Sequence, residues 1–383
     1  MTAPLLLTTF ERTAKWMRRG GRDADIALSS RVRFARNLRK FEFPHRANVS
    51  DLMTVRHRVW QGLHATGQLP GGLADARLLS FEEFTGWERQ SFIDRYLSSR
   101  EHIAEEVGRG VAANADASLA VLVNEEDHIR IQSLLPGLQL DAAYTLADKL
   151  DDALEGWFDS RGGIAWNPQF GYLTSCPTNA GTGVRASVML HLPALEIAGK
   201  IERARKWAED KNLALRGTFG EGSKIWGHLH QLSNQATLGL DEAEVLLEVE
   251  TAARELCEME RRARAALPEK HLVETRDRLG RAFGTLRYAR RIGCREATDC
   301  LSLMRLGSEM NWVKGITRQR FNELLVWIRP AYLQVLHGRS VPSGERDVLR
   351  ADLLRVHVAR LRLESDFFED KITPGRDTQA ATE

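Results

Sequence analysis

The chain lacks most of the features that usually announce a function. Its four cysteines, Cys176, Cys257, Cys294 and Cys300, have no CxxC spacing and no histidines placed as zinc partners. That argues against a disulfide scaffold and a zinc module. No apolar run approaches the roughly 18–20 residues that a membrane span requires. Leu5-Leu6-Leu7 is too short for a signal-peptide core and has no basic segment before it. Charge of one sign is also missing, since 54 Lys and Arg face 52 Asp and Glu and leave a formal +2. Such balance argues against a general nucleic-acid coat. A cytoplasmic protein with no membrane and no nucleic-acid partner is the simplest expectation. There is no GxxxxGK[ST] loop, and no glycine loop followed by a lysine strand, so the usual phosphate cradles are absent.

What is present is arginine, set beside carboxylates in short motifs. Ser29-Ser30-Arg31-Val32-Arg33 comes first, then Asn124-Glu125-Glu126-Asp127-His128-Ile129-Arg130. Cys176-Pro177-Thr178-Asn179 and Gly183-Val184-Arg185-Ala186-Ser187 follow, and Arg216-Gly217-Thr218-Phe219-Gly220-Glu221-Gly222 closes the set. Arginine keeps its charge, and its planar fork fits phosphate oxygens in pairs.

The order of patterns predicts an α+β chain. Ala120-Val121-Leu122-Val123 reads as a buried strand, and Val184 to Leu192 alternates, with Arg185, Ser187, Met189 and His191 on one face. Arg31 and Arg33, two apart, point the same way on an extended backbone. At Asp241 the pattern changes to helix, with acidic residues at the start and Pro268 expected to stop it. From there to about residue 363 the chain reads as helices, the last capped by Ser343. The expected division is a lead over 1–22, a catalytic domain over 23–255, a helical domain over 256–364 and a polar, disordered tail over 365–383.

Phosphoryl transfer is mostly positioning and charge stabilisation. Arg31, Arg33, Arg130, Arg185 and Arg216 would offset most of a nucleotide's charge, and Mg²⁺ would supply the rest. Glu126 and Glu221 suit a guanidinium acceptor, which has a pKa of about 12.5–13.8 and is not deprotonated beforehand. A carboxylate holds it by paired hydrogen bonds and takes its proton as the N–P bond forms. Cys176 is a candidate neighbour of the same guanidinium. Taken singly each motif has an ordinary alternative: Arg-x-Arg as a salt-bridged surface, Glu125-Glu126-Asp127 as a solvated turn, Cys176 as a small buried residue. His128 is assigned packing or capping, and no catalytic role.

In combination and in this order, the motifs, with Ser233-Asn234-Gln235, resemble the phosphagen (ATP:guanido) kinases over residues 23–255. The resemblance implies a large antiparallel sheet flanked by helices, with an all-helical domain after it. It also implies that the five arginines bind ATP phosphates, that Glu126 and Glu221 handle the guanidinium and that Cys176 lies beside it. Carried over residue by residue, ATP contacts extend to Ser30, Val32, Ala186, Ser187, Val188, Met189, Gly217, Thr218, Phe219 and Gly220. Only 28 residues precede Ser29, where metabolite kinases of the family carry a helical domain, and Phe219 stands where they have arginine. The chain therefore resembles the protein-arginine kinases within that family. Arg346-Asp347-Val348-Leu349-Arg350-Ala351 resembles their RDxxRA motif, which implies an allosteric phosphoarginine pocket of Arg346, Asp347, Arg350 and Ala351. On a helix, Arg346 and Arg350 share a face; the ordinary alternative is internal Arg–Asp pairing. Tyr96 departs from a histidine common at that position and is left to stack on adenine. The resemblance further implies a homodimer, an activator protein, and clients marked for a Clp-type protease. A free-guanidino metabolite kinase and an inactive phosphoarginine-binding adaptor are the competing readings.

Overall fold

The computed structural model describes residues 13–18, 20–67, 73, 76–217 and 225–368. Thr218, Phe219, Gly220 and Glu221 lie outside the described residues, as do 1–12 and the tail from 369. In chain order the main strands are β1 (Ala27–Arg36), β2 (Arg77–Ser80), β3 (Gly110–Ala113), β4 (Leu119–Val123) and β5 (Ile129–Pro136). A short hairpin follows, β6 (Trp166–Asn167) and β7 (Gly171–Tyr172), then β8 (Val184–His191), β9 (Leu213–Gly217) and β10 (Leu229–Asn234). Eight of them form one antiparallel sheet in the order β2-β3-β4-β5-β1-β8-β10-β9.

The period-2 pleat gives this sheet two unlike faces. On one, Val32, Phe34, Ile131, Val188, Leu190 and Leu232 are buried against two helices. Leu140–Asp159 buries Leu140, Ala143, Ala147, Leu150, Leu154 and Phe158 at helical spacing and packs on β1 and β5. Glu242–Lys270 begins with the expected capping box between Asp241 and Glu244 and packs on β8. Between sheet and helix the Arg36 guanidinium reaches Asp151 at 2.6 Å and lies 3.5 Å from the Tyr172 ring centroid. The other face carries the arginines.

Helices dominate after residue 241, with small departures from expectation. Pro268 does not stop its helix, which runs on to Lys270; its missing N–H and ring meet too little of the last turn to break it. That helix also crosses residue 255 without interruption. Ser343 is the first helical residue and Pro342 the cap position, with no side-chain cap. A two-residue pair, β11 (Val313–Lys314) with β12 (Arg362–Leu363), joins the helical region to its own end. Residues 365–367 form a turn whose Phe367 is buried beside Trp312, so the chain stays packed past the expected start of the tail.

Catalytic and helical regions are stitched together by buried polar groups. Asp94 accepts from the backbone N–H groups of Ala331 and Tyr332 at 3.0 and 3.1 Å, capping the Pro330–His337 helix. Arg305 donates to the Ala24 carbonyl and to Asn322. His102 sits between Ser98 and the Val123 carbonyl, and His128 accepts from the Leu38 N–H at 3.1 Å.

Burial pushes both His102 and His128 down to about 4 from an ordinary value of about 6.5. Their folded pKa lies below the unfolded one, so the stability they contribute is complete above pH 6.5 and is lost as pH falls toward 4. Burial raises Asp94 and Asp151 to about 6, which acts in the opposite sense below pH 6. His191 and His228, lowered mainly by burial, act with the two histidines, and Asp127, Glu242 and Glu260, raised mainly by burial, act against them. His102→Gln should lose less melting temperature than the parent between pH 6.5 and 4, and an unchanged loss would remove His102 from the account.

Candidate active site

Strand register brings the predicted arginines together. Arg33 lies directly opposite Arg185 across β1 and β8, and Arg31 opposite Ser187. Gln132 faces Arg33 from β5, one pair along from Arg130. Beyond β8, Gln231 faces Met189, and Arg216 faces Gln231 from β9. Since paired residues point to the same side, all five arginines project from one face. They line a single cavity of about 290 Å³ together with Tyr96, Ser98, Ser99 and Glu125.

Their partners differ, and the difference defines their availability. Arg31 donates to Gln231 at 2.8 Å and Arg185 to Ser233 at 3.2 Å. Arg130 is clamped by buried Glu125 and by Glu126, the latter at 2.8 Å. Among the described residues, Arg33 makes no side-chain hydrogen bond or ion pair, and its Nε is buried without a partner. Burial, then the neighbouring Arg31, Arg130 and Arg185, hold Arg33 well below the usual guanidinium range. Burial and Arg185 bring Arg31 down to about 10. Arg130 goes the other way: burial lowers it, but Glu125, Asp127 and Glu126 outweigh burial and raise it. The cavity is thus a positive surface with one arginine already neutralised, the condition under which an anion is the missing partner.

The Asn124–His128 turn is built from residues with separate tasks. Asn124 takes a positive φ of 57°, a conformation asparagine tolerates, and its amide donates to the Leu52 and Gly108 carbonyls. Asp127 is buried and accepts from Asn37 and from the Ser175 N–H, each at 2.7 Å. His128 packs, as expected. Glu126 alone is substantially open, at 43% side-chain exposure. The Ser175 hydroxyl donates to the Glu126 carbonyl at 2.7 Å, fixing the following residue Cys176 near that carboxylate. The partly exposed Cys176 Sγ lies 3.0 Å from the Thr178 hydroxyl. Both Cys176 and Glu126 act on Arg185, favouring its charged form against burial and the repulsion of Arg216.

Several expected contacts fall elsewhere. Ser30, Val32, Ala186 and Val188 are buried on the sheet's opposite face, because they alternate with the arginines. Ser30 is spent on structure, donating to Gly137 and accepting from the Gln139 N–H, both at 2.9 Å. Ser187 and Met189 line an adjoining recess with Trp16, Leu28 and Tyr96. Gly217 ends β9. Glu221 is outside the described residues. Sequence reasoning missed Glu125 as a cavity residue, although its burial beside Arg130 follows from the same motif. It also missed Gln132 and Gln231, legible from alternation, and Ser98 and Ser99, for which no motif existed.

The RDxxRA segment lies apart, in the helical region, and its two arginines are not equivalent. Arg350 is 1% exposed and donates to the carbonyls of Ile328 at 2.7 Å and Ile292 at 2.8 Å and to Asp347 at 2.6 Å. Its Nε and Nη1 are thus committed internally. Arg346 is half-buried and donates to the Val341 carbonyl at 2.7 Å.

Comparison with known proteins gives concordant results. Residues 61–263 match the family model for the ATP:guanido phosphotransferase C-terminal catalytic domain. Residues 273–368 match the protein-arginine kinase McsB C-terminal domain. The chain is 38% identical over 343 residues to the protein-arginine kinase of Halothermothrix orenii, covering 90% of this chain and 96% of that one. It is 40% identical over 348 residues to that of Pelotomaculum thermopropionicum, again covering 90% and 96%. In fold it is similar to lombricine kinase, with a TM-score of 0.57 at 24% identity over 67% of this chain and 72% of that one. A duplicated taurocyamine kinase from Schistosoma mansoni gives 0.53 at 24%, over 69% and 39%.

Removing Arg33 should separate binding from stability. Arg33→Met relieves like-charge repulsion across β1 and β8, so its melting temperature is expected to equal or exceed that of the parent. Loss of a charged hydrogen-bond partner, worth about 1.5–3 kcal/mol, should weaken ATP binding roughly 10–100-fold. Calorimetry and nucleotide titration check both; a destabilised variant with unchanged ATP affinity would sink the assignment.

Proposed function

The chain belongs to the ATP:guanido phosphotransferase family, in its protein-arginine kinase branch, and we propose that it transfers the γ-phosphoryl group of ATP to arginine side chains of proteins. The observation that carries this is Arg33, which makes no side-chain bond among the described residues and is set among clustered arginines, with Glu126 partly open beside Arg130 and Cys176 on the loop that bonds Glu126. Arg31, Arg33, Arg185 and Arg216 bind the triphosphate, and Arg130, clamped by Glu125 and Glu126, completes the rigid wall. Tyr96, in the wall of the arginine-lined cavity, is placed to stack on adenine.

Among the described residues no three His, Cys, Asp or Glu side chains converge as a metal cage. The donor set fits a Mg²⁺ carried on the nucleotide's own oxygens, where it supplies charge neutralisation. In the transfer, a guanidinium nitrogen of the substrate forms a bond to Pγ as the bond from Pγ to the ADP oxygen breaks. The proton leaving that nitrogen passes to Glu126, with Glu221 sharing the grip by family resemblance. Cys176 orients the acceptor from the other side.

The relatives' names support a protein acceptor over a free guanidino metabolite. The metabolite kinases resemble the chain at 24% identity and speak for the fold alone. The helical region is assigned phosphoarginine sensing through Arg346, with Asp347 and Ala351 beside it and Arg350 holding the frame. A homodimer, an activator protein and a Clp-type protease partner belong to the same proposal.

The decisive assay mixes Mg-ATP, an unfolded protein and free arginine in one tube, read by mass spectrometry without acid, since N–P bonds are acid-labile. Phosphoarginine on the protein is expected; phosphorylated free arginine alone would favour the metabolite kinase. Glu126→Gln should reduce transfer by at least about 100-fold while nucleotide binding persists. In the helical region, Arg346→Ala should weaken phosphoarginine binding and leave the melting temperature intact. Arg350→Ala should cost about 3 kcal/mol or more of stability, as expected for breaking a buried charged network. Equal behaviour of the two variants in both measurements would refute the division of roles.

A further inference from the structure

Large apolar side chains stand exposed beside the loop that carries Cys176, on two separate segments. Trp166 and Phe170, on the β6–β7 hairpin, are 48% and 46% exposed, and Leu238 is 55% exposed. The backbone ties them together around residues 174–181. Tyr172 donates its N–H to the Gly181 carbonyl at 2.8 Å, and Leu173 to the Ala165 carbonyl at 2.9 Å. Gly181 sits so close to Thr237 and Leu238 that a Cβ there would lie 2.7 Å from the Thr237 carbonyl oxygen and 3.0 Å from Leu238 Cα. Thr237 in turn donates to the Thr178 carbonyl at 3.1 Å, one turn from Cys176.

The hairpin is rigid as well as exposed. Asn167 accepts from the N–H groups of Gln169 and Phe170 at 2.8 and 3.2 Å. Tyr172, paired with Trp166, is anchored by Arg36 stacking on its ring and by its hydroxyl on Glu155 at 2.9 Å. Neither aromatic at the tip has a core to fill, so packing does not account for them. Rigid, preorganised apolar groups next to a reactive centre lose little entropy on binding, and such patches mark interaction surfaces.

Beside this apolar rim lie carboxylates. Asp148, Asp152 and Glu155 lie on one helix at spacings of four and three, and Tyr144 on the same helix bonds Glu242. Exposed Lys149 lies among them, and Arg36 is committed to Asp151. An acidic flank attracts a polypeptide that carries arginine and repels acidic chains.

We infer that Trp166, Phe170 and Leu238, flanked by the acidic Asp148–Glu155 face, form the docking surface for an unfolded, arginine-bearing polypeptide segment whose apolar residues flank the target arginine. The inference rests on the protein-acceptor reading above and narrows its substrate class.

The test uses two synthetic peptides with a single arginine, flanked by leucine and phenylalanine in one and by serine and glycine in the other, with free arginine as a third acceptor. The parent enzyme should show a KM at least about tenfold lower for the apolar-flanked peptide. The triple variant Trp166→Ser, Phe170→Ser, Leu238→Ser should lose that preference, while its KM for ATP, its rate on the serine-flanked peptide and its melting temperature stay at parent values. An unchanged preference in the variant, or none in the parent, overturns the docking surface alone. Phosphorylation of free arginine with neither peptide touched overturns the protein-acceptor reading and this inference with it.

Discussion

Placing Arg33 opposite Arg185 on neighbouring strands is the constraint around which this molecule is organised. Like charges directly across an antiparallel pair are destabilising, and here Arg31, Arg130 and Arg216 adjoin them in one cavity. The sheet tolerates the arrangement because its other face is covered by the Leu140–Asp159 and Glu242–Lys270 helices, whose burial of Leu and Val side chains far exceeds what a few repelling guanidinium groups cost. Positive charge is therefore held in place in advance on this face, which is the form of electrostatic assistance that needs no rearrangement.

The same economy orders the acceptor side. Glu125 and Glu126 are adjacent in sequence and both bond Arg130, yet Glu125 is buried while Glu126 is partly open. Asp127 then bonds Asn37 from β1's end and the Ser175 N–H. Three consecutive carboxylates thereby hold Arg130 and the loop that carries Cys176, and leave Glu126 partly open. Shifting any one of them by a residue would invert its direction, which is why the turn needs Asn124 in a left-handed conformation to set the register.

These roles explain what could be read from sequence. Alternation revealed the arginine face, because a strand's side chains must point to opposite sides; the same rule applied strictly would have removed Ser30, Val32, Ala186 and Val188 from the nucleotide contacts. Family resemblance carries backbone positions along with side chains, and it does not distinguish them. The burial of Arg350 was illegible for a different reason. Four-residue spacing puts it on Arg346's side of the helix, but whether that side meets solvent or the Ile292 and Ile328 carbonyls depends on packing between distant segments. The exposed Trp166 and Phe170 had no motif at all, since their interest lies in exposure, a property that composition does not encode.

The helical region is not a passenger on this sheet. Asp94 caps the Pro330–His337 helix, and Arg95 approaches the Tyr332 hydroxyl at 3.5 Å. Tyr96 follows at a φ of 62°, held by Gln132 donating to its carbonyl at 2.7 Å, and its ring lines the cavity. Three successive residues thus run from a helix cap to the nucleotide wall, with no flexible linker between. A displacement of the Pro330–His337 helix must either break two backbone hydrogen bonds to a buried carboxylate or carry Tyr96 with it. The Ile328 carbonyl that ends the preceding helix is also the one that Arg350 holds. Residues 328–332 and 94–96 thus join the Arg346–Arg350 segment to the cavity wall through buried hydrogen bonds.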